Sequence, residues 1–176
     1  MKRKIALSVI VITAVIFCMV TIYNFSAQGS VISNDISRSF TEKIAGILFQ
    51  NFTYMNADIQ NIIIIELNLF IRKAAHFSVF FTMSFFVYME AVIWLKKYLL
   101  SGIISVMFCV VYAIADEYHQ SFSPGRTPLL KDVFIDTAGA LLGAITCFVL
   151  ISVVLNIKNT MQKNNSSQPS ASLSDS

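Results

Sequence analysis

Four stretches of the chain are apolar almost without interruption, and polar residues gather in tight groups between them rather than alternating with the apolar ones. Residues 5–23 follow Lys2, Arg3 and Lys4; residues 75–95 follow Arg72 and Lys73; residues 98–115 follow Lys96 and Lys97; residues 133–157 precede Lys158. A helix rises about 1.5 Å per residue and the hydrocarbon core of a bilayer is about 30 Å thick, so roughly 20 apolar residues suffice to cross it. Each stretch therefore predicts a spanning helix. A signal peptide accounts less well for the first one. Its apolar run exceeds the roughly 7 to 15 residues of a signal core, and no small-x-small cleavage site follows.

The segment joining the first two spans is too long for a turn and has a pattern of its own. Ile36, Phe40, Ile44, Ile47 and Leu48 recur at helical spacing while Ser37, Arg38, Glu42 and Lys43 take the other face, which predicts an amphipathic helix lying on the bilayer. Residues 59–71 are broken by Gln60, Asn61, Glu66 and Asn68, which predicts an interfacial or re-entrant piece rather than a fifth span. The expected fold is thus an all-α integral membrane protein, a four-span helical bundle with an amphipathic or interfacial helical segment between its first two spans. Residues 1–4 form a cytoplasmic N-terminus, residues 5–157 the membrane domain, and residues 158–176 a disordered cytoplasmic tail, Ser- and Asn-rich from residue 164 onward. The orientation rests on basic residues beside the spans, which favour the cytoplasm. With the N-terminus inside, Lys2, Arg3, Lys4, Lys96, Lys97, Lys158 and Lys163 are cytoplasmic, against Arg38, Lys43, Arg72, Lys73, Arg126 and Lys131 outside.

Composition agrees with a lipid solvent: 56% of the residues are hydrophobic, 13% are charged, 15 are Phe, and the mean hydropathy is +0.68, too apolar for an ordinary soluble domain. The net charge of +3 comes from scattered pairs of bases, so the basic stripe of a nucleic-acid binder is missing and no nucleic-acid partner is expected. Cys18, Cys109 and Cys147 lie inside apolar runs without a CxxC or a His at ligand spacing. That excludes a disulfide framework or a zinc site and leaves them as packing or lipid-facing residues. Tyr88, Trp94 and Tyr98 are expected in the interfacial aromatic belt.

Candidate chemistry lies at the span ends. Arg72, Lys73 and His76 open the second span, Asp116, Glu117, His119 and Gln120 close the third, and Asp132 and Asp136 open the fourth. In helices of alternating direction all three groups reach the same, outer, membrane face. Charges at the bilayer centre cost roughly 2.5 to 3.5 kcal/mol on insertion scales, so such groups stay near an interface, pair, or face a cavity. Lys73 and His76 are three apart, Asp116 and Gln120 four, and Asp132 and Asp136 four, so each pair shares a helix face. Asp132, Asp136, Gly139 and Gly143 continue one stripe, and the glycines invite close approach of another helix or another subunit. Thr127 is placed to cap this helix and Pro128 to start it, after a Pro124-Gly125 turn. The bland alternative is that these charges anchor helix ends or lock helices together, and it is preferred for Glu90, Lys97 and Lys131.

These groups resemble the VanZ-like family of bacterial membrane proteins. Tyr23-Asn24-Phe25-Ser26-Ala27-Gln28-Gly29, followed by Ser33 and Ser37, is similar to the family's Phe-Ser-Ser-Gln segment, with Ala27 where a second Ser is usual. Arg72-Lys73-Ala74-Ala75-His76-Phe77 is similar to its Lys-x-x-His motif. The run from Asp116 to Arg126, with Asp132, Asp136, Gly139 and Gly143 at the family's intervals, is the most specific element. Asp136 stands where the family also carries Asn. The resemblance implies a multi-pass protein of the bacterial cell membrane that lowers susceptibility to teicoplanin-type glycopeptides; it supplies no reaction.

The expected site is an outer-face pocket of Lys73, His76, Asp116, Glu117, Gln120, Arg126, Asp132 and Asp136, binding a membrane lipid, a lipid-linked cell-wall precursor or another anionic envelope ligand. Lys and Arg suit phosphate or carboxylate, the first as a point charge and the second as a fork. A hydrolase or transferase acting on an envelope lipid is the alternative, with His76, Asp116 and Glu117 as acid–base candidates. No nucleophile elbow, phosphate loop or metal-binding helix signature occurs, so neither a cofactor nor a metal is expected. A small proton-coupled transporter is a third possibility; it would require a homo-oligomer, with the Gly139 and Gly143 face as its seam.

Overall fold

The computed structural model describes residues 1–27, 30–122 and 129–166, with the side chains of residues 27, 30–37 and 165–166 outside the description. Among the described residues there are α-helices and no strand: α1 Lys2–Ala27, α2 Ser30–Leu48, α3 Ala57–Leu95, α4 Tyr98–Gln120 and α5 Leu130–Ser166, with a 3₁₀ turn, Phe52–Tyr54, before α3. The helices α1, α3, α4 and α5 are long and apolar enough to cross a membrane. The protein is a multi-pass membrane protein. Successive spans alternate in direction: Lys4 at the start of α1 donates to the Ile93 carbonyl near the end of α3 at 3.5 Å, and Ser8 donates to Glu90. At the other end of the bundle Ser26 of α1 meets Asp116 of α4.

Two boundaries differ from the sequence expectation. Residues 59–71 form no separate interfacial or re-entrant piece, because they are the first part of α3, continuous with the span that follows. Gln60 turns back to accept a structural task, donating to the carbonyls of Phe52 and Met55 at 2.8 and 3.0 Å, and Arg38 donates to Asn61 at 2.8 Å. These polar residues hold the 3₁₀ turn and α2 against α3 rather than interrupting the helix. With 39 residues, α3 is about 58 Å long, nearly twice the hydrocarbon thickness. Among the described side chains of α2, Thr41 and Ala45 are buried, while Phe40, Ile47 and Leu48 stay exposed. The second difference is the tail: α5 runs on through residues 158–166, and residues 167–176 lie outside the described residues. So do Arg126, the Thr127 cap, Pro128 and the Pro124-Gly125 turn; α5 starts at Leu130.

The bundle interior mixes many small and polar side chains with a few large ones, Ile22, Phe80, Met83 and Tyr88, while most of the large apolar residues lie on its surface. Ala113, Ala140, Cys109 and Cys147 are almost fully buried, whereas Phe134 and Leu130 are 73% and 80% exposed. Lipid tails are as apolar as Leu, so nothing drives large side chains inward, and van der Waals contact between closely approaching backbones holds the helices instead. All three cysteines are buried and unpaired, which settles their packing role. Tyr88 is buried too, its hydroxyl donating to the Tyr98 carbonyl at 3.1 Å, so it leaves the aromatic belt that Trp94 and Tyr98 were grouped with. A polar tip with an internal acceptor has no need of the interface.

The tightest approach joins α3 and α5, which run parallel. A Cβ at Gly139 would collide with the Phe77 carbonyl, and one at Gly143 with the Phe81 carbonyl. The glycine face predicted to receive another helix thus receives α3 of the same chain, and it is not available as a seam between subunits. Gly46 of α2 has nothing within 4 Å of the same position. Gly143→Ala is therefore expected to destabilise the folded protein by about 1–3 kcal/mol through overpacking against backbone. Gly46→Ala should stabilise it by up to about 1 kcal/mol, the difference in helix propensity. Thermal unfolding of the two variants in one detergent checks the opposite signs.

Candidate functional site

Three helices deliver the polar residues to one end of the bundle. The i, i+4 pairs predicted on α4 and α5 do face inward: His76, Asp116, Glu117, Gln120 and Asp136 are all buried. Arg72, Lys73, His76, Glu117, Gln120, Asp132, Ile135 and Asp136 surround a cavity of about 20 Å³, which is room for about one water molecule. Asp116 stands behind this wall. It accepts from the Ser26 hydroxyl at 2.8 Å and from the Gln120 amide at 2.7 Å, and the same amide lies 3.2 Å from Ser26. This buried triangle ties α1 to α4, and Tyr112 adds a second tie by donating to the Met19 carbonyl at 2.8 Å.

Each acid has a distinct attachment. Glu117 accepts from the Leu129 backbone N–H at 2.9 Å, so the end of α4 holds the entrance to α5. Lys73 Nζ is 2.9 Å from Asp132 Oδ1, an ion pair by proximity, since that oxygen has no aligned hydrogen-bond donor. Asp136 and Asp116 bracket His76, their Oδ2 atoms 3.8 and 4.0 Å from its Nδ1. The other nitrogen, His76 Nε2, is buried with no hydrogen-bond partner among the described residues. Arg72 donates to the neutral Gln120 side-chain oxygen at 3.2 Å, and among the described residues no carboxylate stands at ion-pair distance from it.

Seven of the eight residues expected in the pocket are described, and these seven converge; Arg126 lies outside the described residues. Two participants fall outside the expected set. Arg72 lines the cavity, and its i, i+4 spacing to His76 was the available signal. Ser26 is fully buried against Asp116; the resemblance to the family's Phe-Ser-Ser-Gln segment singled it out, but its partner, 90 residues away in the chain, is not legible in its local sequence. His119 turns away from the cavity, its ring 4.7 Å from that of Tyr23. Among the described residues no group of three or more His, Cys, Asp or Glu is arranged to hold a metal ion.

Residues 10–152 match the VanZ/LLP1 family, a stretch that includes all three polar groups and most of each span. The chain belongs to that family. No curated protein and no solved structure matches it. As a VanZ/LLP1 protein it is a cell-envelope protein of a family linked, as a family, to glycopeptide resistance.

An ion pair and a buried hydrogen bond of this VanZ/LLP1 site differ in environment, and their energies should differ accordingly. Side chains of Lys73 and Asp132 are 40% and 29% exposed, so a double-mutant cycle through Lys73→Met and Asp132→Asn is expected to give a coupling below about 1 kcal/mol. The cycle through Ser26→Ala and Asp116→Asn, a buried hydrogen bond to a carboxylate, should give about 1.5–3 kcal/mol. Unfolding free energies in detergent decide, and equal couplings would show that the cavity does not distinguish them.

Proposed function

We propose that this protein lowers susceptibility to teicoplanin-type glycopeptides in the bacterial cell membrane, through a cavity at the outer face that binds an anionic envelope ligand such as a lipid-linked phosphate. The observation that carries the reading is Arg72: a guanidinium lining the cavity whose hydrogen bond goes to a neutral amide. Asp116 and Glu117 support it by accepting from Ser26, Gln120 and the Leu129 N–H, and Asp132 by its ion pair with Lys73. A phosphate oxygen is about what the cavity admits as it stands. It would take charge-assisted hydrogen bonds from Arg72 and His76 Nε2, with Lys73 released from Asp132 as the third cation. The N-terminus lies inside the cell in this arrangement.

The second reading, an envelope-lipid hydrolase or transferase, draws on His76. A buried imidazole with carboxylates near one nitrogen and nothing on the other has the arrangement of an oriented acid–base group. Asp116 is a poor base in this scheme, since its Oδ2 already takes two donors, which leaves Glu117 and Asp136 as the partners of His76.

Cells expressing Arg72→Gln or His76→Ala, at protein levels matched by immunoblot of membranes, are expected to lose the protection against a teicoplanin-type glycopeptide that the unaltered protein gives. Lys97→Gln, at the opposite end of the bundle, should retain it. Protection that survives both cavity substitutions would make the site structural. The catalytic reading separates from simple binding at Glu117→Gln: phosphate release from a phosphate-headed lipid should vanish while binding of that lipid persists, whereas no release by the unaltered protein removes catalysis.

A further inference from the structure

A groove of about 530 Å³ opens toward the bilayer between α1 and α3. On α1 it runs from Ile10 to Thr21, about 16 Å of helix, which is close to half of the roughly 30 Å hydrocarbon core and so to the depth of one leaflet. Its α3 wall runs from Val79 to Phe86. The lining is hydrocarbon in effect. Its three threonines, Thr13, Thr21 and Thr82, donate to the carbonyls of Val9, Phe17 and Ser78 at 2.8, 2.8 and 2.9 Å, so their hydroxyls are satisfied within their own helices. The upper end of the groove points toward the polar cavity: Val79 is seven residues, about 10 Å, below Arg72 on the same stripe of α3, and the α1 wall leads up from Thr21 to Ser26.

We infer that the groove holds one hydrocarbon chain of a membrane lipid whose phosphate headgroup carries a net negative charge and sits at the cavity against Arg72. The inference rests on the anionic-ligand reading above and adds the other half of the ligand. A soluble anion would leave the groove unexplained, and an uncharged lipid would leave Arg72 without a carboxylate or phosphate. One amphiphile satisfies both, because Arg72, Val79 and Phe86 recur every seven residues along one stripe of α3, so this cation and the dry groove lie end to end. The ligand enters sideways from the bilayer, with no need for an opening through the bundle.

The test uses the full chain carrying Phe17→Trp and Trp94→Phe, which moves the single tryptophan to the groove. The protein is reconstituted in phosphatidylcholine vesicles with increasing fractions of phosphatidic acid or of phosphatidylcholine, each brominated in its chains to quench tryptophan on contact. Half-quenching is expected at about tenfold less phosphatidic acid than phosphatidylcholine, the scale of one charge-assisted hydrogen bond, and adding Arg72→Gln should make the two curves coincide. Thr82→Trp, also in the Trp94→Phe background, reports from the opposite wall and should agree. Coincident curves for the unaltered site, or a preference that survives Arg72→Gln, would overturn the inference. So would a groove that neither lipid quenches because a second copy, trapped by cross-linking, covers it. Glycerol phosphate separates the two levels. If it raises the melting temperature only when Arg72 is present while the quenching curves coincide, the cavity still binds anions and the groove proposal alone fails; if it has no effect and the curves coincide, both fail.

Discussion

The contact of two glycines on α5 with two carbonyls on α3 sets the register on which the rest of the site depends. Gly139 meets Phe77 and Gly143 meets Phe81, one turn apart on both helices, so α3 and α5 run side by side in parallel with their backbones touching. One turn further toward the polar end, the same register brings His76 to Asp136 and Lys73 to Asp132. A side chain larger than hydrogen at either glycine would push the helices apart by ångströms, and ion pairs at 3 to 4 Å do not survive that. The glycine stripe and the acids above it are therefore one device: the first sets a distance and the second uses it.

Such a device needs a solvent that does not pull large side chains inward. In water, burying Phe134 and Leu130 would compete with close backbone approach; in lipid those residues face outward at no cost, and Ala, Cys and Ser share the interior with a few large side chains such as Phe80 and Met83. Small interior residues leave room for polar ones, provided that each finds a partner, since an unsatisfied group in hydrocarbon costs several kcal/mol. Asp116 takes two donors and Glu117 a backbone N–H. Against that background Arg72 and His76 Nε2 stand out. They are the groups at the cavity whose strongest possible partners are not supplied by the described protein, and in a site otherwise so fully engaged that directs attention to a ligand's anionic end.

Site and span length are connected through α3. Its first part carries the packing surface for α2 and the 3₁₀ turn, its middle carries Arg72, Lys73 and His76, and its last part is the span. Because the helix is unbroken, the segment that packs against α2 and the residues at the cavity belong to one continuous rod. The polar residues Gln60 and Asn61 look like interruptions when read as a linear pattern. In the folded chain they are contacts of that segment with the turn and with Arg38.

By itself the sequence determined the solvent, the four spans, their alternation and hence the gathering of charges at one end, because each follows from helix rise, bilayer thickness and the cost of burying charge. It also placed Lys73, His76, Asp116, Glu117, Gln120, Asp132 and Asp136 within reach of one another, since i, i+3 and i, i+4 spacing is a local property of a helix. What covers the glycine face, which nitrogen of His76 is left free, where Ser26 goes and how far α3 extends were decided only in three dimensions. Those outcomes depend on contacts between helices 60 to 90 residues apart along the chain, as between Phe77 and Gly139 or between Ser26 and Asp116. No periodicity within either helix encodes the distance at which two helices meet.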